Sequence, residues 1–237
     1  MLYSNTIKII EDYLMEKTHD GTSMGRIKKP LNQFAEKYSQ LDHEEASIYD
    51  KDGKELKHIN QNNDTSVDLN EMTEYLNKEG ITGCHIDHNH PILHYKDVIP
   101  SPLSIPDMDM LRIKNDDGEY IYQSISCESM NGYRMTLLRN NKFSEKDEAR
   151  FEIETAHFDE SCRAYYEAFT KMSKDWGTHH MKEYYEQGYS LEEFRDACTE
   201  YALGELGSFE DFIFTQRNYD NAFKECNCKL RITKRAL

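Results

Sequence analysis

Apolar residues along this chain recur with two different periods, and the changes of period divide it. Near the start, Ile7, Ile10 and Leu14 fall three and four residues apart, the spacing of one helical face, and Ser4 or Asn5 can cap that helix. A basic loop containing Pro30 follows, then a second short helix over Asn32 to Leu41. From Ala46 the texture turns extended. Ala46 to Tyr49 reads as a strand, Asp50-Lys51-Asp52-Gly53 as a turn and Glu55 to Ile59 as the returning strand, an Asp-Gly hairpin signature. Ser66 to Leu69 is one more extended piece. Asn70 to Lys78 is helical through Met72, Tyr75 and Leu76, with Gly80 as its stop, and Ile81 to His90 is a strand that runs into a loop. Ile105 to Asn115 predicts a short helix, and Glu119 to Cys127 and Tyr133 to Arg139 predict two strands about an Asn131-Gly132 turn. The order strand, strand, helix, strand, helix, strand, strand over residues 44–139 describes one α/β domain.

Beyond Ser144 the period is helical. Ser144 with Asp147 starts a helix whose apolar stripe runs through Phe151, Phe158, Cys162, Tyr165, Phe169, Met172 and Trp176, which reads as core. A second helix opens on a capping box, Ser190 to Glu193, and continues through Phe194, Cys198 and Tyr201. Leu230 to Lys234 is either a closing strand or a tail. The chain thus divides into a helical segment, 1–42, an α/β domain, 43–142, and a mostly helical region, 143–237.

Composition narrows the picture. No apolar run approaches eighteen residues and the first residues lack a basic start before an apolar stretch, so neither a membrane span nor a secretory signal is expected, and the protein is expected in the cytoplasm. The 29 Lys and Arg against 44 Asp and Glu give a net charge of −15, which suits a nucleic-acid partner poorly. The six cysteines contain no Cys-x-x-Cys pair and read as free thiols of a reducing compartment; Cys226-Asn-Cys228 lacks the second pair that a structural zinc site needs.

The chemistry gathers around residues 84–107. On a strand, alternate residues share a face, so Cys84, Ile86, His88 and His90 point one way and two imidazoles are placed to grip one divalent metal. Four of the five prolines (Pro91, Pro100, Pro102, Pro106) follow at once and specify a rigid loop. Ser104-Ile105-Pro106-Asp107 then opens a helix and offers a hydroxyl and a carboxylate. A base for a metal-activated water is available on the first strand. Glu44 shares the apolar face of Ala46 and Ile48 and is favoured over Glu45, which shares the face of Ser47 and Tyr49. By the same alternation His85 is expected at the surface. His94 is expected in solvent, and His179-His180 at a helix C-terminus.

A glutamate on an early strand, His-x-His-Pro ending a later one and Ser-x-x-Asp opening a helix together resemble the JAMM/MPN family of zinc metallopeptidases over about residues 43–140. The flanking text, EEASIYDKDGKEL and YRMTLLR, looks most like bacterial and phage-encoded members. The resemblance implies a mixed sheet flanked by helices, with zinc held by His88, His90 and Asp107. It further implies that Glu44 accepts the proton of a zinc-activated water and that Ser104 steadies the oxyanion. The implied reaction is hydrolysis of a peptide or isopeptide bond in a protein or peptide substrate, with the helical region 143–237 available to a protein partner or a second copy. Sixteen residues separate His90 from Asp107, more than the family usually has, which leaves Asp109 as an alternative ligand and Ser101 as an alternative to Ser104. Two other readings share these letters: a non-catalytic module of the same fold, and an HNH-type nuclease suggested by HIDHNH.

Overall fold

The computed structural model describes residues 24–63, 67–91, 102–129, 132–140, 143–216 and 219–234. The expected helix around Ile7, Ile10 and Leu14 lies outside them, as do Ser66, His94, Pro100, Ser101 and Asn131.

The described chain is α/β: one six-stranded mixed sheet flanked by helices, with a long helical C-terminal region. Helix α1 (Met24–Tyr38) leads into β1 (Glu44–Tyr49) and β2 (Glu55–Asn63), then α2 (Asn70–Lys78) and β3 (Cys84–His90). Helix α3 (Ile105–Asp109), extended by a 3₁₀ turn at Met110–Arg112, precedes β4 (Tyr122–Ser129) and β5 (Tyr133–Arg139). Four helices follow, α4 (Glu145–Glu186), α5 (Leu191–Leu206), α6 (Phe209–Gln216) and α7 (Tyr219–Glu225), before the chain returns to the sheet as β6 (Cys228–Lys234). The strand order is β2-β1-β3-β4-β5-β6, with β3 and β4 parallel and every other neighbouring pair antiparallel. The residues 230–234 therefore close the sheet rather than trail from it.

Both faces of this sheet are covered, and the two are lined differently. The front face carries Ile48, Ile86, Ile125, Cys127, Met135, Leu137 and Leu230, packed against Leu76 of α2, Met108 of α3, Phe151, Phe158 and Tyr165 of α4, Ile213 of α6 and Phe223 of α7. The stripe on α4 is thus core, as its periodicity predicts; burying side chains of that size contributes about 1.5–3 kcal/mol each. The back face is polar: Glu45, Ser47, His85, Asp87, Asn89, Ser124, Ser126, Glu128, Arg134 and Thr136 are all buried there. They pair with one another, Ser126 with Thr136 at 2.8 Å and Arg134 with Glu128, and Arg134 also reaches Asn32 of α1. Helix α1 lies over this face through Ile27 and Leu31, which meet Tyr49 and Leu138. All six residues of β1 are consequently buried, so alternation separates two interiors here, not an interior from solvent.

Three local expectations change. Helix α1 is described from Met24 and contains Pro30, which lacks the hydrogen bond of its own nitrogen and crowds the preceding turn. The carbonyl of Arg26, four residues back, is where that bond would have gone, and Gly53 of the hairpin turn approaches it. A Cβ on Gly53 would stand 2.6 Å from that oxygen, and its φ of 83° suits glycine. His179 and His180 lie inside α4, which runs on to Glu186; the His180 ring stacks on Trp176 at 4.2 Å, and Trp176 also faces Phe194 and Tyr201 of α5. The chain around Asp107 is a one-turn helix and a 3₁₀ turn rather than one helix to Asn115. Among the described residues no helix is long and apolar enough to cross a membrane.

Candidate metal centre

The two histidines arrive together because β3 is central and extended. It sits between β1 and β4, with Ala46 opposite His88 on one side and Cys127 opposite His88 on the other. His88 and His90 leave the front face at its end, where the rings stand 4.6 Å apart and their Nε2 atoms 2.8 Å apart. Asp107 is brought to the same point by α3. Its Oδ1 lies 3.3 Å from His88 Nε2 and its Oδ2 3.5 Å from His90 Nε2. Donors round one small ion, tetrahedrally bound at about 2.0–2.1 Å, stand about 3.3 Å apart; the two Asp107 separations match that spacing and the histidine pair stands closer.

Ser104 holds the carboxylate in place. It is the N-cap of α3, and both its backbone N–H (2.7 Å) and its hydroxyl (2.6 Å) donate to Asp107 Oδ2, while Asp107 N–H donates back to Ser104 Oγ at 3.3 Å. The Ser-x-x-Asp spacing is thus a capping box whose acidic member also faces the histidines. Asp109 instead turns to Arg112 at 3.1 Å and takes no part.

Two carboxylates address the histidine pair at different ranges. Asp107 touches both rings, whereas a carboxylate oxygen of Glu44 lies within 4.8 Å of a nitrogen on each. Glu44, His88 and His90 together form a cluster that could hold a metal ion, and Asp107 lies against the same two rings. Glu45 points to the back face, where His43 (3.0 Å), His58 (2.9 Å) and Asn60 hold its carboxylate. Strand alternation therefore brings Glu44, not Glu45, to the histidines.

Charge in the cluster is strongly coupled. Burial by itself disfavours the charged Asp107, yet the two imidazoles hold its carboxyl well below the usual carboxylate range. Burial likewise disfavours a charged His88, and the charges of Asp107 and Glu44 outweigh it, raising this imidazole's pKa above 6.5. Nδ1 of His88 is buried without a hydrogen-bond partner among the described residues, and the Ser126 backbone adds a smaller upward push on the ring's pKa. Two carboxylates thus face two imidazoles, a donor set that could hold a divalent cation. Cys127, beneath His88, is pushed well up by burial and then by Asp107 and Glu128, so it remains a thiol. The site opens through His90 and Asp107, whose side chains are 14% and 19% exposed against 4% for His88.

His85 is not at the surface. It is fully buried on the back face, bonded through Nδ1 to Ser124 Oγ at 2.5 Å, and burial lowers its pKa to about 4. Alternation gives its face correctly, but α1 covers that face. The sequence also gave no weight to Asn89, fully buried between the two histidines, or to His58. The hairpin turn could have found His58, since it sets Ser47 opposite it.

No family model, curated protein or solved structure matches this chain.

Proposed function

We propose that this protein is a zinc-dependent hydrolase of the JAMM/MPN type that cleaves a peptide or isopeptide bond in a protein substrate, in the cytoplasm of a bacterium or of a phage's host. The observation that carries the reading is the convergence of His88, His90 and Asp107 within 3.5 Å of one another, with Glu44 standing off within 4.8 Å of both rings. Bound among those three residues, zinc would polarise the scissile carbonyl and acidify a water. Glu44 is the proton carrier. Its carboxylate takes a proton from the attacking water and delivers it to the leaving amine, so it begins and ends the cycle ionised. Asp107 is oriented by Ser104, and the same hydroxyl, turned toward the substrate, donates to the oxyanion that develops on the carbonyl. An HNH-type nuclease carries its histidines on a ββα unit; here they end an interior strand of a six-stranded sheet, which favours the peptidase. The free thiols of the described cysteines suit a reducing compartment. The region from α4 onward is the proposed surface for a protein partner or a second copy.

The deciding experiment is elemental analysis of protein purified without added metal. About one zinc per chain is expected in the wild type and in Glu44→Gln, and none in His88→Ala or Asp107→Ala. Peptidase turnover is expected in the wild type only. Zinc retained in full by a His88→Ala, His90→Ala double variant would sink the assignment.

A further inference from the structure

The strand bearing Glu44 is irregular on both sides of that residue. Toward β2, the partner of Glu45 is Asn60 but that of Glu44 is Asn63, so β2 bulges out beside Glu44. Toward β3, backbone pairing runs from Tyr49–His85 to Ala46–His88 and goes no further. On the β3 side sheet pairing thus stops at Ala46, two residues short of Glu44, and on the β2 side it reaches Glu44 only across the bulge.

A side chain takes over where the ladder ends. Asn89, fully buried between the two histidines, accepts a hydrogen bond from Glu45 N–H at 2.7 Å through Oδ1 and donates Nδ2–H to the carbonyl of His43 at 2.8 Å. Those two groups belong to the peptide units on either side of Glu44. One donor and one acceptor are gripped, so only one orientation of the amide satisfies both, and no other residue type of that length supplies both. The side chain of Glu45 completes the arrangement from the back face, where His43, His58 and Asn60 pin it. His58 is itself fixed by Ser47 at 2.8 Å and by the ring of Tyr38, stacked on it at 4.5 Å.

We infer that Asn89 is a positioning residue: its amide replaces the missing rung of the sheet and fixes the Glu44 carboxylate over the histidine pair, so that ligand strand and base are set by one buried contact. The inference rests on the reading of His88, His90 and Asp107 as metal ligands. It ties the base to the same strand that carries two of those ligands, so a shift of β3 moves all three together.

The test is a double-mutant cycle read by titration with Co²⁺ alone, followed by its visible absorption, on the full chain. The negative charge of Glu44 favours a dication, so Glu44→Gln is expected to weaken cobalt binding about tenfold while leaving it tight enough to retain metal. Asn89→Ala should weaken it by a similar factor, because it releases Glu44. The double variant should bind no more than about twofold more weakly than either single one, since Asn89 has nothing left to position. Losses that multiply to about a hundredfold would overturn the inference, as Asn89 would then act through the histidines or the fold. Unchanged affinity in Asn89→Ala would overturn it equally. Asn89→Ser, a smaller perturbation that cannot span both peptide groups, carries the same expectations should the alanine variant not fold. A wild type that takes up no cobalt would remove the metal reading, and this inference with it; stoichiometric uptake with multiplying losses would remove the inference alone.

Discussion

His85 is a titratable group held in the wrong state for acid. Its ordinary pKa is 6.5 and burial brings it to about 4 in the folded protein. Between those values the unfolded chain binds a proton that the folded chain does not, so stability is complete above pH 6.5 and falls as pH drops toward 4. The full loss is about 3 kcal/mol. Urea melts at pH 7 and pH 5 should show the decline, and His85→Gln, which never charges, should flatten it over this window even if it lowers stability at pH 7. The same residue shows what alternation can and cannot reveal. It separates His85 from His88 and Glu45 from Glu44, but it does not say whether the second face meets water. Here α1 and its Ile27 and Leu31 decide that, and their contact with the sheet crosses too much sequence for any local pattern to report.

At the scale of elements, the caps and turns were legible because their chemistry is local. The boxes at Ser144 and Ser190 form where the spacing predicts them, and β5 has the limits expected from its pattern. Ser190→Ala should therefore cost about 1 kcal/mol by denaturant titration, with the histidine cluster untouched. The convergence of Asp107 on β3 was legible only through the resemblance of the whole motif, since sixteen residues separate it from His90. The entry of Pro30 into α1 was not legible, because proline disfavours a helix interior and the local pattern carries no sign that the helix runs through it. Close approach between α4 and α5 was equally hidden. A Cβ on Gly177 would meet Cys198 Sγ at 3.0 Å and the Phe194 ring at 3.3 Å. Gly177→Leu should force the two helices apart at a cost of about 1–3 kcal/mol, measurable as a lower melting temperature.

Over the whole molecule, the sheet is closed by β6, which returns to it after four helices. Seven residue pairs join β6 to β5, from Tyr133–Lys234 to Arg139–Cys228. A chain truncated after Asn227 would present the edge of β5 and lose Leu230 from the core, and it should elute from size-exclusion chromatography as aggregate rather than monomer. The aromatic stack on α4 has a practical consequence. Trp176 is the sole tryptophan of the sequence, and it is sandwiched among His180, Phe194 and Tyr201 on the helical hairpin rather than near the histidine pair. Its fluorescence is therefore a built-in optical reporter of one region. It should brighten or shift when α4 and α5 separate, yet stay level when a divalent ion is titrated against the histidine pair, so the two ends of the molecule can be watched independently in one cuvette.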